Sequence, residues 1–429
     1  MKGGGGSKGW TCRFWVSRIT LGKPPALCYR RDSHSGACVR DGAGETTVLE
    51  GISVRHWLAI ILAFCPTFVG AAETVKLRRD GKVLEVRGQL ITDAEDGGLL
   101  VLGRDGLIWS VEPDELVEHT SDEEPFTPLQ APELGELLLE ELPEGFEIHT
   151  TQHYLICHNT SKAYAQWCGA LFERLYMAFI NYWSRKKVEL HDPQFPLVAL
   201  VFADKESYAR FAVAELGEGT KSIIGYYSFQ TNRMTMYDLT GVDTLREAGD
   251  RRGSAAQINL MLSRPEAERT VATVIHEATH QIALNCGLQT RYADIPRWLS
   301  EGIAMYFETP DLASSKGWRS IGAVNPVQLD GFRNYLPRRP ADSLISLLAG
   351  NDRLRDPKLA SDAYAEAWAL NYFLVKQRPK QYLEYIKALA EKKPLLVDDA
   401  QTKIDEFKQA FGDLDKLDTE FVRQLSKMK

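Results

Sequence analysis

Two hydrophobic rhythms divide this chain. From residue 73 to about 119, apolar and polar positions alternate in short runs, TVKLRRDGKVLEVRGQLI and then DGGLLVLGRDGLIWSVEP. That period of two belongs to strands with unlike faces. Asp-Gly pairs at 80–81 and 105–106 sit between the runs, at places where a tight hairpin needs backbone with positive φ. Residues 73–120 therefore predict a small, all-β, barrel-like domain of four or five antiparallel strands, suited to docking or packing rather than chemistry. The next stretch, SDEEPFTPLQAPEL, is acidic and carries three prolines, which predicts an exposed linker over 121–146.

Beyond residue 147 the period lengthens. A strand is predicted near 148–157, followed by a helix over 163–183 whose apolar residues at 164, 167, 168, 171, 175, 178, 179 and 182 follow the helical repeat. PLVALVF at 196–202 has no polar face and reads as a buried strand. Asp204 caps the helix that follows. Residues 223–238 alternate on both sides of Thr231-Asn232, a hairpin, and 238–264 are polar with three glycines, either a lid or a disordered insertion. Helical patterns then recur at 270–287, from Pro296, and at 342–348, 362–374, 382–391, 402–411 and 418–427. The fold class is α+β: a mixed sheet with helices over 147–310 and a helical subdomain over 311–429, behind the small β domain.

Composition changes the picture at the N-terminus. Of 429 residues 44% are hydrophobic, enough for a sizeable core, and the net charge is −7. Residues 1–55 hold nine Lys and Arg against four Asp and Glu, so the remainder stands at −12, which argues against nucleic acid as a partner. Residues 1–52 lack any sustained period and predict no domain. Arg55 precedes sixteen uncharged residues, 57–72, with the apolar centre LAIILAF and a small-residue end, Gly70-Ala71-Ala72. This is the order of a signal peptide over 53–72, shorter than the ~20 apolar residues of a membrane span. An exported protein is expected, touching a membrane only if this segment stays uncleaved; a signal placed fifty residues in predicts a true start near Val48 or Val54. Export would leave Cys157, Cys168 and Cys286, of which 157 and 168 can form one disulfide or all three stay free. Nothing in the sequence indicates an oligomeric state.

The chemistry concentrates in TVIHEATHQIALNCGLQTRYADIPRWLSE, residues 273–301. Side chains four apart share a helix face, so His276 and His280 aim two imidazoles at one point. A catalytic Zn²⁺ takes three protein ligands and leaves a position for water. Glu301, on the helix opening at Pro296, is the third candidate. Glu277 sits about 100° further round the helix, beside the metal rather than on it, where a general base belongs.

These residues resemble the gluzincins, zinc metallopeptidases with two His on one helix and a Glu on the next. Thr273, Val274, Ala278, Thr279, Gln281 and Ile282 match the longer signature around His-Glu-x-x-His, and Trp298, Glu301, Gly302, Ala304 and Tyr306 match the second helix. The resemblance covers about 147–395, is strongest to exported bacterial members, and implies a zincin-like catalytic domain that hydrolyses a peptide or protein substrate. It also implies that a strand beside the zinc helix pairs with substrate, for which Met234, Thr235, Met236 and Tyr237 are the candidates, and that a Tyr near position 364 donates to the oxyanion, which selects Tyr364. Many members carry an Asp one turn after the ligand Glu, bonded to a ligand His; here that place is Met305, leaving Asp294 or Asn285 for the task. The aminopeptidase motif Gly-x-Met-Glu-Asn is absent, which favours an endopeptidase. Two other readings remain: a non-catalytic envelope protein that binds through a zincin fold, and a zinc hydrolase of a non-peptide amide or ester.

Overall fold

The computed structural model describes residues 70–428, except 95, 218–219, 221–222, 243–251, 310–311 and 313–320, and the side chain of 122. The expected extension 1–52 and most of the signal segment lie outside the described residues.

The first strands are β1 (Ala71–Arg79), β2 (Lys82–Asp93), β3 (Leu99–Gly103), β4 (Ile108–Val111) and β5 (Leu116–Pro125), antiparallel throughout in the order β4-β3-β2-β1-β5. Asp80 (φ 52°) and Gly81 (φ 75°) make the predicted first turn, and Gly106 (φ 85°) sits in the turn between β3 and β4. β4 and β5 are edges that do not pair, so the sheet is open where a closed barrel was expected; closure needs a last ladder of hydrogen bonds that alternation alone does not specify. Ala71 and Ala72 already belong to β1, with Ala72 buried, so the folded sheet begins before the expected cleavage point. The expected linker is also revised. Pro125 ends β5, and Pro132 lies in the first turn of a helix, α1 (Ala131–Glu141), where Glu133 accepts from Gln130 N–H and Leu134 and Leu138 are buried. The prolines mark element ends, where a missing N–H is harmless.

A second sheet comprises β6 (Glu147–Thr150), β7 (Tyr154–His158), β8 (Leu197–Phe202), β9 (Gly225–Tyr227) and β10 (Arg233–Tyr237), ordered β6-β7-β8-β10-β9. β7, β8 and β10 are parallel and the two edges antiparallel. The single strand expected at 148–157 is thus the β6–β7 hairpin. β8 is buried on both faces: Leu197, Ala199 and Val201 join one apolar cluster, Val198, Leu200 and Phe202 another. The second cluster packs under α1 and α3 (Lys205–Leu216), which opens with Asp204 Oδ1 accepting from Ser207 N–H at 2.7 Å. α2 (Lys162–Arg185) covers the opposite face. Cys157 and Cys168 therefore lie on opposite sides of the sheet; they and Cys286 are free and buried, and no 157–168 disulfide forms.

The remaining helices are α4 (Ala255–Leu262), α5 (Pro265–Asn285), α6 (Arg297–Phe307), α7 (Pro326–Tyr335), α8 (Ser343–Ala349), α9 (Asp352–Arg355), α10 (Ala360–Gln377), α11 (Pro379–Ala390), α12 (Ala400–Phe411) and α13 (Leu414–Lys427). One apolar cluster runs from Tyr154 through α2, α5, α6 and α10 to Leu425, so the boundary expected at residue 310 does not divide the core. No helix among the described residues is long and apolar enough to cross a membrane.

Candidate metal centre

α5 starts with Pro265, places Glu266 and Glu268 in its first turn, and stops before Gly287 at φ 83°. Proline needs no partner for its missing N–H there, and acids suit the positive helix end. Gln281 anchors the helix to the second sheet by donating to Val198 O (2.9 Å) and Asn232 O (3.0 Å). The chain then returns through residues 286–296 into α6, whose Trp298 stacks on Tyr385 with centroids 6.4 Å apart. Gly302 lets α10 come close: a Cβ there would meet Asn371 Cβ at 2.6 Å and Ala367 O at 3.0 Å. Asn371 Nδ2 donates to Gly302 O at 2.9 Å and seals the contact.

This packing brings the predicted ligands together. His276 Nε2 lies 3.1 Å from Glu301 Oε2 and 3.1 Å from His280 Nε2, and His280 Nε2 lies 3.7 Å from Glu301 Oε2. Ligands about 2.05 Å from a tetrahedral zinc stand about 3.3 Å from one another, so the three separations bracket the value zinc requires. All three residues are buried. Three lone-pair atoms facing one another in a low dielectric repel unless a proton or cation lies between them. Burial alone would lower the His276 pKa, but the hydrogen bonds of Glu301 and Glu308 outweigh it and push the pKa well above the usual range. Burial likewise raises that of Glu301, yet His276, His280 and Arg297 bring it well below. The buried donor set could hold a metal ion.

The far nitrogens fix the tautomers. His276 Nδ1 meets Glu308 Oε1 at 2.6 Å, and Glu308 Oε2 accepts from Asn325 Nδ2 at 3.2 Å. His280 Nδ1 lies 3.4 Å from Ser300 Oγ, which donates to Gln289 Oε1. With Nδ1 protonated in both rings, each Nε2 keeps its lone pair for a metal. The two guesses for this task are corrected: Asp294 accepts from Lys403 (2.9 Å) and the Asp398 N–H, while Asn285 exchanges hydrogen bonds with Asn232. Glu308 and Ser300 were missed. Glu308 lies seven residues past Glu301, two helical turns on and so on the same face, which is a usable signal.

Glu277 is the one partly exposed residue in the 274–283 run and lies outside the ligand set, near enough to His276, His280 and Glu301 to feel their charges. Its carboxylate accepts the Tyr227 N–H at 2.9 Å. Burial raises its pKa, which His276, His280 and that N–H partly oppose. Tyr227 belongs to β9, which among the described residues is an edge strand of the second sheet, beside α5. Met234, Thr235, Met236 and Tyr237 lie on β10, where the first three pair with β8 on one side and β9 on the other and Tyr237 pairs with β8, so β10 is an inner strand and not the free edge expected of a substrate-pairing strand. Tyr364, on α10, is brought to the site. Burial raises its phenol well above the ordinary range, the nearby Glu301 and Glu277 add to this, and the Arg297 guanidinium, hydrogen-bonded to it, opposes.

The first sheet touches this region too. Arg291, in the loop between α5 and α6, donates to Gly106 O (2.9 Å) and Phe229 O (3.3 Å), and Ile108 N–H donates to Gln230 O (2.8 Å).

Residues 270–396 match the family described as Protein of unknown function (DUF1570). That span holds His276, Glu277, His280, Glu301, Glu308 and Tyr364. No curated protein matches the chain.

Proposed function

We propose that this chain is an exported zinc-dependent peptidase of the gluzincin type, acting on internal bonds of peptides or proteins. The observation that carries the reading is the convergence of His276, His280 and Glu301 at zinc spacing with Glu277 held beside them but outside the ligand set. Zinc bound there would polarise the scissile carbonyl and acidify a water to a pKa of about 7. Glu277, oriented by the Tyr227 amide, takes that water's proton and passes it to the leaving amine. Tyr364 donates its hydroxyl hydrogen to the developing oxyanion. A substrate strand adds to the outer edge of β9, next to Glu277, rather than to β10.

Metal analysis of the purified chain and cleavage of a diverse peptide library by wild type and Glu277→Gln test this. One zinc per chain is expected in both proteins, with turnover in the variant lower by about 10²- to 10⁴-fold. A chain without zinc, or an undiminished Glu277→Gln, overturns the reading; a zinc-loaded chain that cuts amides or esters but no peptide replaces it with the non-peptide hydrolase.

A further inference from the structure

Glu301 uses its two oxygens differently. Oε2 faces His276 Nε2 at 3.1 Å and His280 Nε2 at 3.7 Å, whereas Oε1 lies 3.4 Å from Arg297 Nε. Arg297 is the first residue of α6, one turn before Glu301, so the helix itself sets the spacing of the pair. The two side chains are only 16% and 10% exposed, which removes most of the solvent screening that makes surface i,i+4 pairs weak. The same guanidinium reaches Tyr364 on α10. One cation thus pairs with the carboxylate of the ligand set and favours the ionised form of the nearby phenol.

A carboxylate can bind a metal through one oxygen or two. Chelation through both would draw Oε1 toward the cation, fill a position that water and substrate need, and raise the coordination number above four. A guanidinium facing Oε1 opposes that rotation, because moving the oxygen away leaves a buried cation without its counter-charge, a costly state. Resting on the metal-centre reading above, we propose that Arg297 is the positioning residue of the site: it retains Oε1 of Glu301, so that Oε2 alone is offered to the metal.

The test uses the full chain loaded with Co²⁺ in place of zinc, because four-coordinate cobalt absorbs visible light several times more strongly than five- or six-coordinate cobalt and so reports the ligand count without any substrate. Wild type should give the intense four-coordinate band. Arg297→Met and Arg297→Gln should each lose at least about half of that intensity as Oε1 joins the metal, and their zinc affinity should change by roughly tenfold, as removal of a group supporting a metal ligand does. Arg297→Lys, which keeps a cation within reach of Oε1, should recover most of the band. Unchanged band intensity in both the Met and the Gln variants overturns the proposal and leaves the centre intact. A wild-type chain that binds neither cobalt nor zinc overturns the metal reading itself, and this inference with it.

Discussion

Glu308 offers a sharp test of how the centre is built. Its Oε1 receives His276 Nδ1–H at 2.6 Å in a site where both side chains are 6% exposed. A hydrogen bond to a charged acceptor contributes about 1.5–3 kcal/mol and a neutral one about 0.5–1.5. Glu308→Gln keeps an acceptor of the same shape but removes the charge, so the loss should be about 1–1.5 kcal/mol by that difference. At about 1.4 kcal/mol per tenfold, the zinc Kd should rise by roughly an order of magnitude. Glu308→Ala goes further, leaving the imidazole N–H and Asn325 Nδ2 without an acceptor; an additional ~1–3 kcal/mol brings the expected loss to about 100-fold or more. Asp294→Asn is the control, since that carboxylate is engaged by Lys403 and the Asp398 N–H, and its Kd should stay within about twofold. Competition for zinc against a chromophoric chelator at fixed pH reads all three. If Glu308→Gln binds zinc as tightly as wild type, the carboxylate does not support the ligand and the account of the tautomers fails.

Tyr364→Phe should leave zinc stoichiometry alone and lower kcat by about 10²-fold with little change in KM, a split read from steady-state kinetics on a cleaved peptide; equal kcat removes the oxyanion role. Without metal His276 has a raised pKa, so near neutral pH it carries a proton that zinc must displace. Calorimetric titrations in buffers of different ionisation enthalpy should show about one proton released per zinc, with affinity climbing as pH rises toward that raised pKa; no release would refute the assignment. Gly302→Ala should push α6 from α10 and destabilise the chain by about 1–3 kcal/mol, seen as a lower urea midpoint, and an unshifted midpoint would show that the contact yields freely.

The sequence made the three candidate ligands legible because their geometry is local. His276 and His280 are set by one helix, and Glu301 by a loop of eleven residues between two marked helix ends. What stayed hidden depends on pairing across distance. The 223–238 hairpin was legible and is β9 with β10, but that β10 runs beside β8 and leaves β9 at the edge is a matter of strand order, which the pattern does not carry. The partner of His276 does not stand one turn after Glu301, where Met305 is, but one turn further on the same face, at Glu308. Proline misled in the opposite sense: in 121–134 it marks the end of β5 and the start of α1, and both fates share the composition of a linker.

The order in which this chain is made differs from the order in which its parts can lock together. One face of the first sheet closes on itself through Val75, Leu77, Val86, Leu99, Val101 and Val111, all within the first strands to be synthesised. The other face, with Leu100, Leu102 and Ile108, is covered by Phe126, Phe195 and Tyr292, and the bond from Arg291 to Gly106 spans 185 positions. At ~5–20 residues per second, a ribosome leaves the part of that face under Phe195 and Tyr292 uncovered for on the order of ten seconds after the sheet itself is complete. The first sheet can therefore fold well before all of its docking partners exist, and the interval is when the nascent chain most needs protection from its neighbours.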